Sequence, residues 1–584
     1  MAVGWSVVMA LALLSPAEGG VPRVRARAAP RMSTASKPVA TSAEQASVPW
    51  DRDGWVAGYR TAPSEDSYSV RCDELPADLV GTFFRNVPAK FEVGEQRIKH
   101  PFDADGMLVA LTFDGAGQVH FRNRFVRTKG YVRETQAGKM LYPGQFSNPR
   151  PIWAGGLEPK NVANTNVLWW GGRLLALWEG GRPHLMDSLS LATSRESDLA
   201  GLLKPGDTFS AHPRRDVANN RLVNFAYMPN PLSGKTQLTF YEFGPDFRPI
   251  NKERPRLLAS VPGFCLVHDF ALTANYYVVT QAPTSFGANP LDTLLGKKSL
   301  GESIVFDESK PTLLWLIPRN GGAPISFPVS THFSFHHANA YEDEHGRVVL
   351  DSASTPRLEL GSPSGTPDAP PLWETVEYNT LPSATLWRYT LDPASGASSA
   401  REVFRRYVDF PSTHPRTSAQ RHRWIYAATG GESGGIASPF KGVAKIDMSD
   451  AAQHEVWLAP HGAQFAGEPA FAPRAGASDS AAEDDGYVLL PLIDGARGGR
   501  ATVCVLRADD IAAGPIARVE LDTYLPHGLH GAFVPDLAPS ADEIERATTL
   551  MKLYARKSRE WNVVDGSFSG MGFKSLFQKG VDGR

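Results

Sequence analysis

Short apolar runs separated by turn residues recur from Trp50 almost to the end of the chain, and they leave few architectures open. LVALTF at Leu108, LLALW at Leu174, LVNFAY at Leu222, YYVV at Tyr276, RVVLDS at Arg347, TLWRYTLD at Thr385, WIYAAT at Trp424, YVLLPLI at Tyr487 and TVCVL at Thr502 are rich in β-branched and aromatic residues. Runs of this length and composition read as strands. Asp114-Gly115 and Trp170-Gly171-Gly172 supply hairpin-type turns between them. Helical periodicity is scarce in the middle of the chain. At 584 residues the chain exceeds an ordinary compact domain unless the fold is a closed ring. An all-β propeller is therefore expected rather than a sandwich. No clean repeat motif is visible, so this expectation rests on strand number and spacing.

The ends differ from the middle. Residues 1–45 read as a targeting leader: WSVVMALALL (Trp5 to Leu14) resembles a signal-peptide core, and Arg23, Arg25, Arg27, Arg31 and Lys37 follow among serines and threonines. No acid lies between Glu18 and Glu44. An apolar core followed by an acid-poor, Arg- and Ser-rich stretch suits a two-part leader for a plastid. The alternative is a disordered N-terminus and a cytoplasmic protein. Residues 46–535 are expected to form the propeller domain, and 536–584 a helical tail. In the tail, Ser540 and Glu543 have capping-box spacing, and Ile544, Ala547, Leu550, Met551 and Tyr554 fall on one helical face over about 541–560.

Two stretches interrupt the strand rhythm, at residues 141–160 and 283–303. Both mix large apolar side chains with Pro, Gly and Lys. The second sets Leu291, Leu294 and Leu295 before Lys297 and Lys298, which suits contact with a membrane surface. The other reading is a cap over the propeller face. The 60 basic and 62 acidic residues leave no basic excess for a nucleic-acid partner. Cys72, Cys265 and Cys504 are far apart and form no CxxC pair, so they read as reduced structural thiols.

Of 15 histidines, five fall in four unusual settings. His212 precedes Pro213. His268 begins the strand-like run HDFALTANYYVV. His336 and His337 stand together in FHHANAYEDE, and His530 precedes Gly531. Adjacent residues of a strand point to opposite faces, so only one of His336 and His337 can aim at a given centre. Histidines at strand ends around a ring axis can meet at one ion. Imidazole suits iron, copper or zinc, and the absence of clustered thiolates argues against structural zinc. Glu179, Asp409 and Glu468 are acids within apolar runs. They are candidates to accept the second N–H of ligating histidines.

The chain also resembles a known family. HPFDADGM (His100 to Met107), FVRTKGYV (Phe125 to Val132), NVANTNV (Asn161 to Val167), LLALWEGGRPH (Leu174 to His184), SAHPRRD (Ser210 to Asp216), PGFCLVHDFALT (Pro262 to Thr273), FHHANAYE (Phe335 to Glu342), LWRYTLD (Leu386 to Asp392), APHGAQFAGEPAFAPR (Ala459 to Arg474) and LPHGLHG (Leu525 to Gly531) resemble motifs of the carotenoid cleavage oxygenases. The resemblance implies a seven-bladed β-propeller with a helical and loop dome over the metal-bearing face. It implies one Fe(II) per chain, held by His212, His268, His336 and His530. The family ligand lies three residues before the motif asparagine, which selects His336 over His337. Glu179, Asp409 and Glu468 fall at the acids behind the histidines. Asp409 is one methylene shorter than the family's glutamate, so a backbone shift or bridging water is expected there, with weaker iron binding.

The family reaction is cleavage of one double bond of a carotenoid or apocarotenoid by O2, giving two carbonyl products. Thr165 matches a threonine whose methyl shields the iron. Trp178 and Phe335 match aromatics beside the substrate, whereas Leu266 and Thr355 stand where the family has aromatics, so a wider tunnel is expected. The alternatives are cleavage of a stilbene-type olefin, a non-oxidative isomerohydrolase, or a silent carotenoid-binding propeller.

Overall fold

A computed structural model describes residues 47–154, 159–230, 232–287, 289–361, 369–449, 453–478 and 480–562. The expected leader lies outside the described residues. The chain divides into two units, Met1–Ala538 and Pro539–Arg584.

In the first unit seven antiparallel sheets follow one another along the chain. Blades 2 to 6 are four-stranded meanders, opening with Asn166–Trp170, Arg214–Asp216, Phe270–Leu272, His337–Glu342 and Val408–Ser412. Blade 7 opens with two short strands, Gln464–Ala466 and Ala470–Pro473, both paired to Gly486–Asp494. Blade 1 is composite. Its strand Val80–Lys90 pairs with Gly531–Val534 from the far end of the unit, with Arg85 opposite Gly531 and Thr82 opposite Val534. That pairing closes the ring and removes the two edges an open array would expose.

The burial pattern explains why the strands read as continuous apolar runs. Side chains of a strand alternate between its two faces, and a blade has a neighbour on each face. Phe83 therefore packs with Tyr487, Leu489 and Val503 of blade 7. The next residue, Phe84, packs with Val167, Leu174 and Ala176 of blade 2. Further clusters of the same kind fill the remaining interfaces between successive blades. The core is thus a ring of seven wedges.

A separate cluster of Phe91, Val93, Ile98, Met140 and Trp373 joins the connections on one face. These carry short helices at Arg52–Val56, Lys129–Ala137 and Leu372–Thr375. Residues 283–303 are not plain loop, because they hold strand Thr284–Phe286 and helix Pro290–Leu294. The run HDFALTANYYVV is not one strand either. It breaks into Phe270–Leu272 and Tyr276–Gln281, where Glu342 accepts from the Thr273 hydroxyl and the Asn275 N–H.

Among its described residues the second unit holds one helix, Ala541–Asn562. Its capping box is formed as expected: the Ser540 N–H donates to Glu543 Oε2 at 2.9 Å, and the Glu543 N–H donates to Ser540 Oγ at 3.3 Å. Among the described residues no helix is long and apolar enough to cross a membrane.

Candidate metal centre

Each of the four histidines stands one or two residues ahead of the first strand of its blade, or of the closing strand. His212 precedes Arg214–Asp216, His268 precedes Phe270–Leu272, His336 precedes His337–Glu342 and His530 precedes Gly531–Val534. The first strands of these blades adjoin one another, so residues at equivalent strand entries converge. One ligating nitrogen from each of the four lies within 4.8 Å of all the others. The remaining three blades supply carboxylates. Glu179 follows strand Arg173–Leu177 of blade 2, Asp409 lies in the first strand of blade 6, and Glu468 joins the two opening strands of blade 7.

The acids determine how the imidazoles point. Glu179 Oε2 lies 2.7 Å from His268 Nδ1, Asp409 Oδ1 lies 2.8 Å from His336 Nδ1, and Glu468 Oε1 lies 2.9 Å from His530 Nδ1. A carboxylate oxygen accepts, so a hydrogen on each Nδ1 leaves the other ring nitrogen, Nε2, turned toward the centre. His336 Nε2 and His530 Nε2 then face each other at 3.2 Å, and His212 Nε2 and His268 Nε2 at 3.0 Å. Two unprotonated ring nitrogens at that distance repel, so each pair needs a shared proton or a metal ion between the rings. Neighbouring ligands of a metal bound at about 2.1 Å stand about 3 Å apart when they subtend a right angle. The donor set therefore fits a divalent transition ion held by four imidazoles. Burial, with the neighbouring rings adding to it, lowers His212 well below the usual range, and burial lowers His530, which keeps both neutral as ligands. Burial also acts to lower His336, but the Asp409 carboxylate outweighs it and raises that ring.

His337 points elsewhere, as the alternation of a strand requires. Its Nδ1 lies 2.6 Å from Ser352 Oγ in the core. Asp409 needs no bridging water. Its strand carries a register shift between Asp409 and Ser412, and Phe410 adopts φ +50°. This bulge sets the shorter carboxylate at direct hydrogen-bond distance, and it overturns the water-bridged alternative.

A second network, not visible in the sequence, ties the ligand strands together. Arg214 donates to Asp269, to the Phe270 carbonyl at 2.8 Å and to the His337 carbonyl at 2.7 Å. Asp269 also accepts the His337 N–H at 2.8 Å. Burial alone would raise the Asp269 carboxyl, but Arg214 beside it holds it below the usual range. One ion pair thus fixes three ligand-bearing segments. SAHPRRD and HDF displayed Arg214 and Asp269 beside the histidines, but nothing in either segment indicated that they pair. Arg85 does similar work between blades 1 and 7, donating to the carbonyls of Glu468 and Leu529.

The cluster opens on a cavity of about 370 Å³ lined largely by aromatic and aliphatic side chains. His268, His336 and His530 reach its wall, together with Glu179 and Asp409. Thr165, Trp178, Leu266 and Phe335 line it, as the sequence led us to expect. The Thr165 hydroxyl donates to Asn164 Oδ1 at 3.1 Å, which leaves its methyl for the cavity. The indole of Trp178 lies against Gly180, where a Cβ would come within 2.5 Å of the ring. Thr355 is not on this wall. It is buried and bridged to Phe333 through paired backbone hydrogen bonds, and Phe333 faces the cavity in its place. A bridge outside the regular strands left no periodic signal that would have separated the two.

A seven-bladed propeller whose strand entries bring four histidines together beside an aromatic cavity holds a candidate metal centre facing an apolar binding space. Residues 60–535 match the family described as retinal pigment epithelial membrane protein, and the chain belongs to this family, the carotenoid cleavage oxygenases. Apocarotenoid-15,15'-oxygenase of Synechocystis sp. is 38% identical over 510 residues, which cover 85% of this chain and 99% of that protein. Lignostilbene-alpha,beta-dioxygenase isozyme III of Sphingomonas paucimobilis is 30% identical and covers 78% of this chain and 91% of its own length. The crystal structure of cobalt-substituted Synechocystis apocarotenoid oxygenase superposes with a TM-score of 0.75 at 36% identity, covering 83% of this chain and 99% of that one.

Proposed function

We propose that this protein is an Fe(II)-dependent dioxygenase that splits one double bond of a carotenoid or apocarotenoid polyene with O2 into two carbonyl products. The observation that carries this reading is the convergence of four histidine ring nitrogens, with His336 Nε2 3.2 Å from His530 Nε2, at the wall of an apolar cavity. His212, His268, His336 and His530 would hold the metal. Bound Fe(II) supplies activation of O2, which no side chain of the cavity provides. The protein does the rest by placement. The apolar wall takes up the polyene and keeps water from the reacting carbons. Trp178 and Phe335 hold the chain in register, and the Thr165 methyl narrows the approach to the histidines. Glu179, Asp409 and Glu468 fix the imidazole orientations.

The test is to incubate iron-loaded protein with β-carotene, an apocarotenal and a hydroxystilbene, and to identify the products by mass. Paired aldehydes from a polyene support the reading. Aldehydes from the hydroxystilbene alone would replace it with stilbene cleavage, and no cleavage of any of the three would contradict it.

Peripheral membrane contact and plastid delivery belong to the same proposal. Ile152, Trp153, Leu291 and Leu295 are exposed, and Gly296 packs against Arg150 and Pro151, which brings the two connections together. An exposed apolar patch of this kind suits insertion into a lipid headgroup layer. Trp153→Ser with Leu291→Ser is expected to lower sedimentation with phospholipid vesicles; unchanged sedimentation would refute the contact. The plastid reading rests on the pattern of residues 1–45. Import of a fluorescent fusion to that leader tests it.

A further inference from the structure

We propose that Tyr59, Tyr378 and Tyr407 form a hydroxyl-lined subsite that holds a terminal oxygen, hydroxyl or carbonyl, of an otherwise apolar polyene. This inference rests on the polyene-cleaving reading above and names the kind of polyene the cavity takes.

The three tyrosines come from three unrelated segments. Tyr59 follows the helix Arg52–Val56, Tyr378 lies in the connection between Ser354 and Thr385, and Tyr407 immediately precedes the first strand of blade 6. All three are half-buried and line the same cavity as the histidines. They gather at one part of it. The Trp55 ring lies 5.1 Å from Tyr59 and 5.7 Å from Tyr378, measured between centroids. Burial, and then the nearness of Tyr59 and Tyr407, push the Tyr378 phenol well above its usual range.

An aromatic path joins this group to the metal centre. His336 stacks on Phe410 at 5.0 Å, Phe410 meets Phe440 at 5.8 Å, and Phe440 stacks on Tyr407 at 5.1 Å. Phe410 and Phe440 also line the cavity. A flat conjugated chain lying along that path would have one end at the histidines and the other at the tyrosines.

Their hydroxyls matter because all three residues line the cavity. Three buried tyrosines elsewhere satisfy theirs: Tyr277 donates to Glu242 at 2.8 Å, Tyr426 to the Ala508 carbonyl at 3.0 Å and Tyr389 to Ser354 at 3.1 Å. Among the described residues no partner accepts from or donates to the hydroxyls of Tyr59, Tyr378 or Tyr407. Buried polar groups are ordinarily hydrogen-bonded, and a phenol both donates and accepts. Three of them facing an apolar cavity form a site for an uncharged oxygen at the end of a hydrophobic ligand. A wall built for a pure hydrocarbon would carry phenylalanine at these positions.

The test measures anaerobic binding to full-length iron-loaded protein by quenching of tryptophan fluorescence. Three probes of equal polyene length are compared in the same detergent: a hydrocarbon, an apocarotenal with a plain ring, and an apocarotenal with a hydroxylated ring. The wild type is expected to bind an oxygenated probe about tenfold more tightly than the hydrocarbon. That ratio is expected to collapse toward one in the triple variant Tyr59→Phe, Tyr378→Phe, Tyr407→Phe. Preference for the hydroxylated ring over the plain one assigns the ring hydroxyl; equal binding of the two assigns the carbonyl. Equal binding of all three probes by the wild type, or a ratio that survives in the triple variant, overturns the subsite. The single variant Tyr407→Phe keeps the comparison readable if the triple variant folds poorly. Because binding is read without O2, a protein that cleaves no polyene refutes the catalytic reading while the binding ratio still decides this one.

Discussion

The two ends of the cavity are built on opposite principles. At the metal end three imidazoles are tied to acids, and Arg214 and Asp269 bind three ligand segments into one unit. At the tyrosine end, three hydroxyls have no protein partner among the described residues although the wall around them is as aromatic. The difference shows how such a cavity divides its tasks. A metal site has to be organised before the substrate arrives, because reorganisation of ligands would be charged against the reaction. A recognition site is better left unsatisfied, so that the right ligand supplies the missing bonds and a wrong one leaves them unmade.

The largest effect that sharpens this contrast is expected from His212, for which no carboxylate partner is found among the described residues. His212→Ala removes one of four donors from a set that fits one ion, and it is expected to abolish both bound iron and cleavage, measured by metal analysis and product mass. Retained iron would show that three acid-backed histidines suffice. Next comes Asp269→Ala. Its carboxylate is buried against Arg214, and removing one partner of a buried pair costs about 3–5 kcal/mol. Chemical denaturation should register that loss, and a change below about 1 kcal/mol would remove the pair from the account.

Glu468→Gln and Glu179→Gln keep the shape of the site but remove the charge behind an imidazole. Loss of such partners typically lowers metal affinity or activity about 10–100-fold, and iron competition with a chelator measures it. Asp409→Glu is expected to have a smaller effect, less than about tenfold in the same assay. The bulge at Phe410 already gives the aspartate a direct 2.8 Å contact. A large gain in affinity would mean that the shorter side chain weakens the site after all.

The parts of the fold carried by local pattern were legible. The strand runs were visible because each blade is covered on both faces, which keeps strands apolar along their length. The four histidines were visible because each stands ahead of a strand, and Ser540 with Glu543 announced the tail helix. The choice of His336 over His337 came from the family motif, and strand alternation explains it. What could not be read depends on convergence from distant segments. Tyr59 lies more than 300 residues ahead of Tyr378 and Tyr407, and they meet only because the ring closes. Arg214 looked like one basic residue of a pair, with nothing to indicate that it reaches Asp269. Thr355 was misplaced because one bridge outside the regular strands decides whether it or Phe333 faces the cavity.

The most direct test of the central claim is the iron content of two variants at adjacent positions, purified with Fe(II) supplied. His336 turns to the centre and His337 turns to Ser352. His336→Ala is expected to lose the iron, and His337→Ala to retain most of it. The reverse result, or equal iron in both, would contradict the four-histidine centre on which the rest of the account depends.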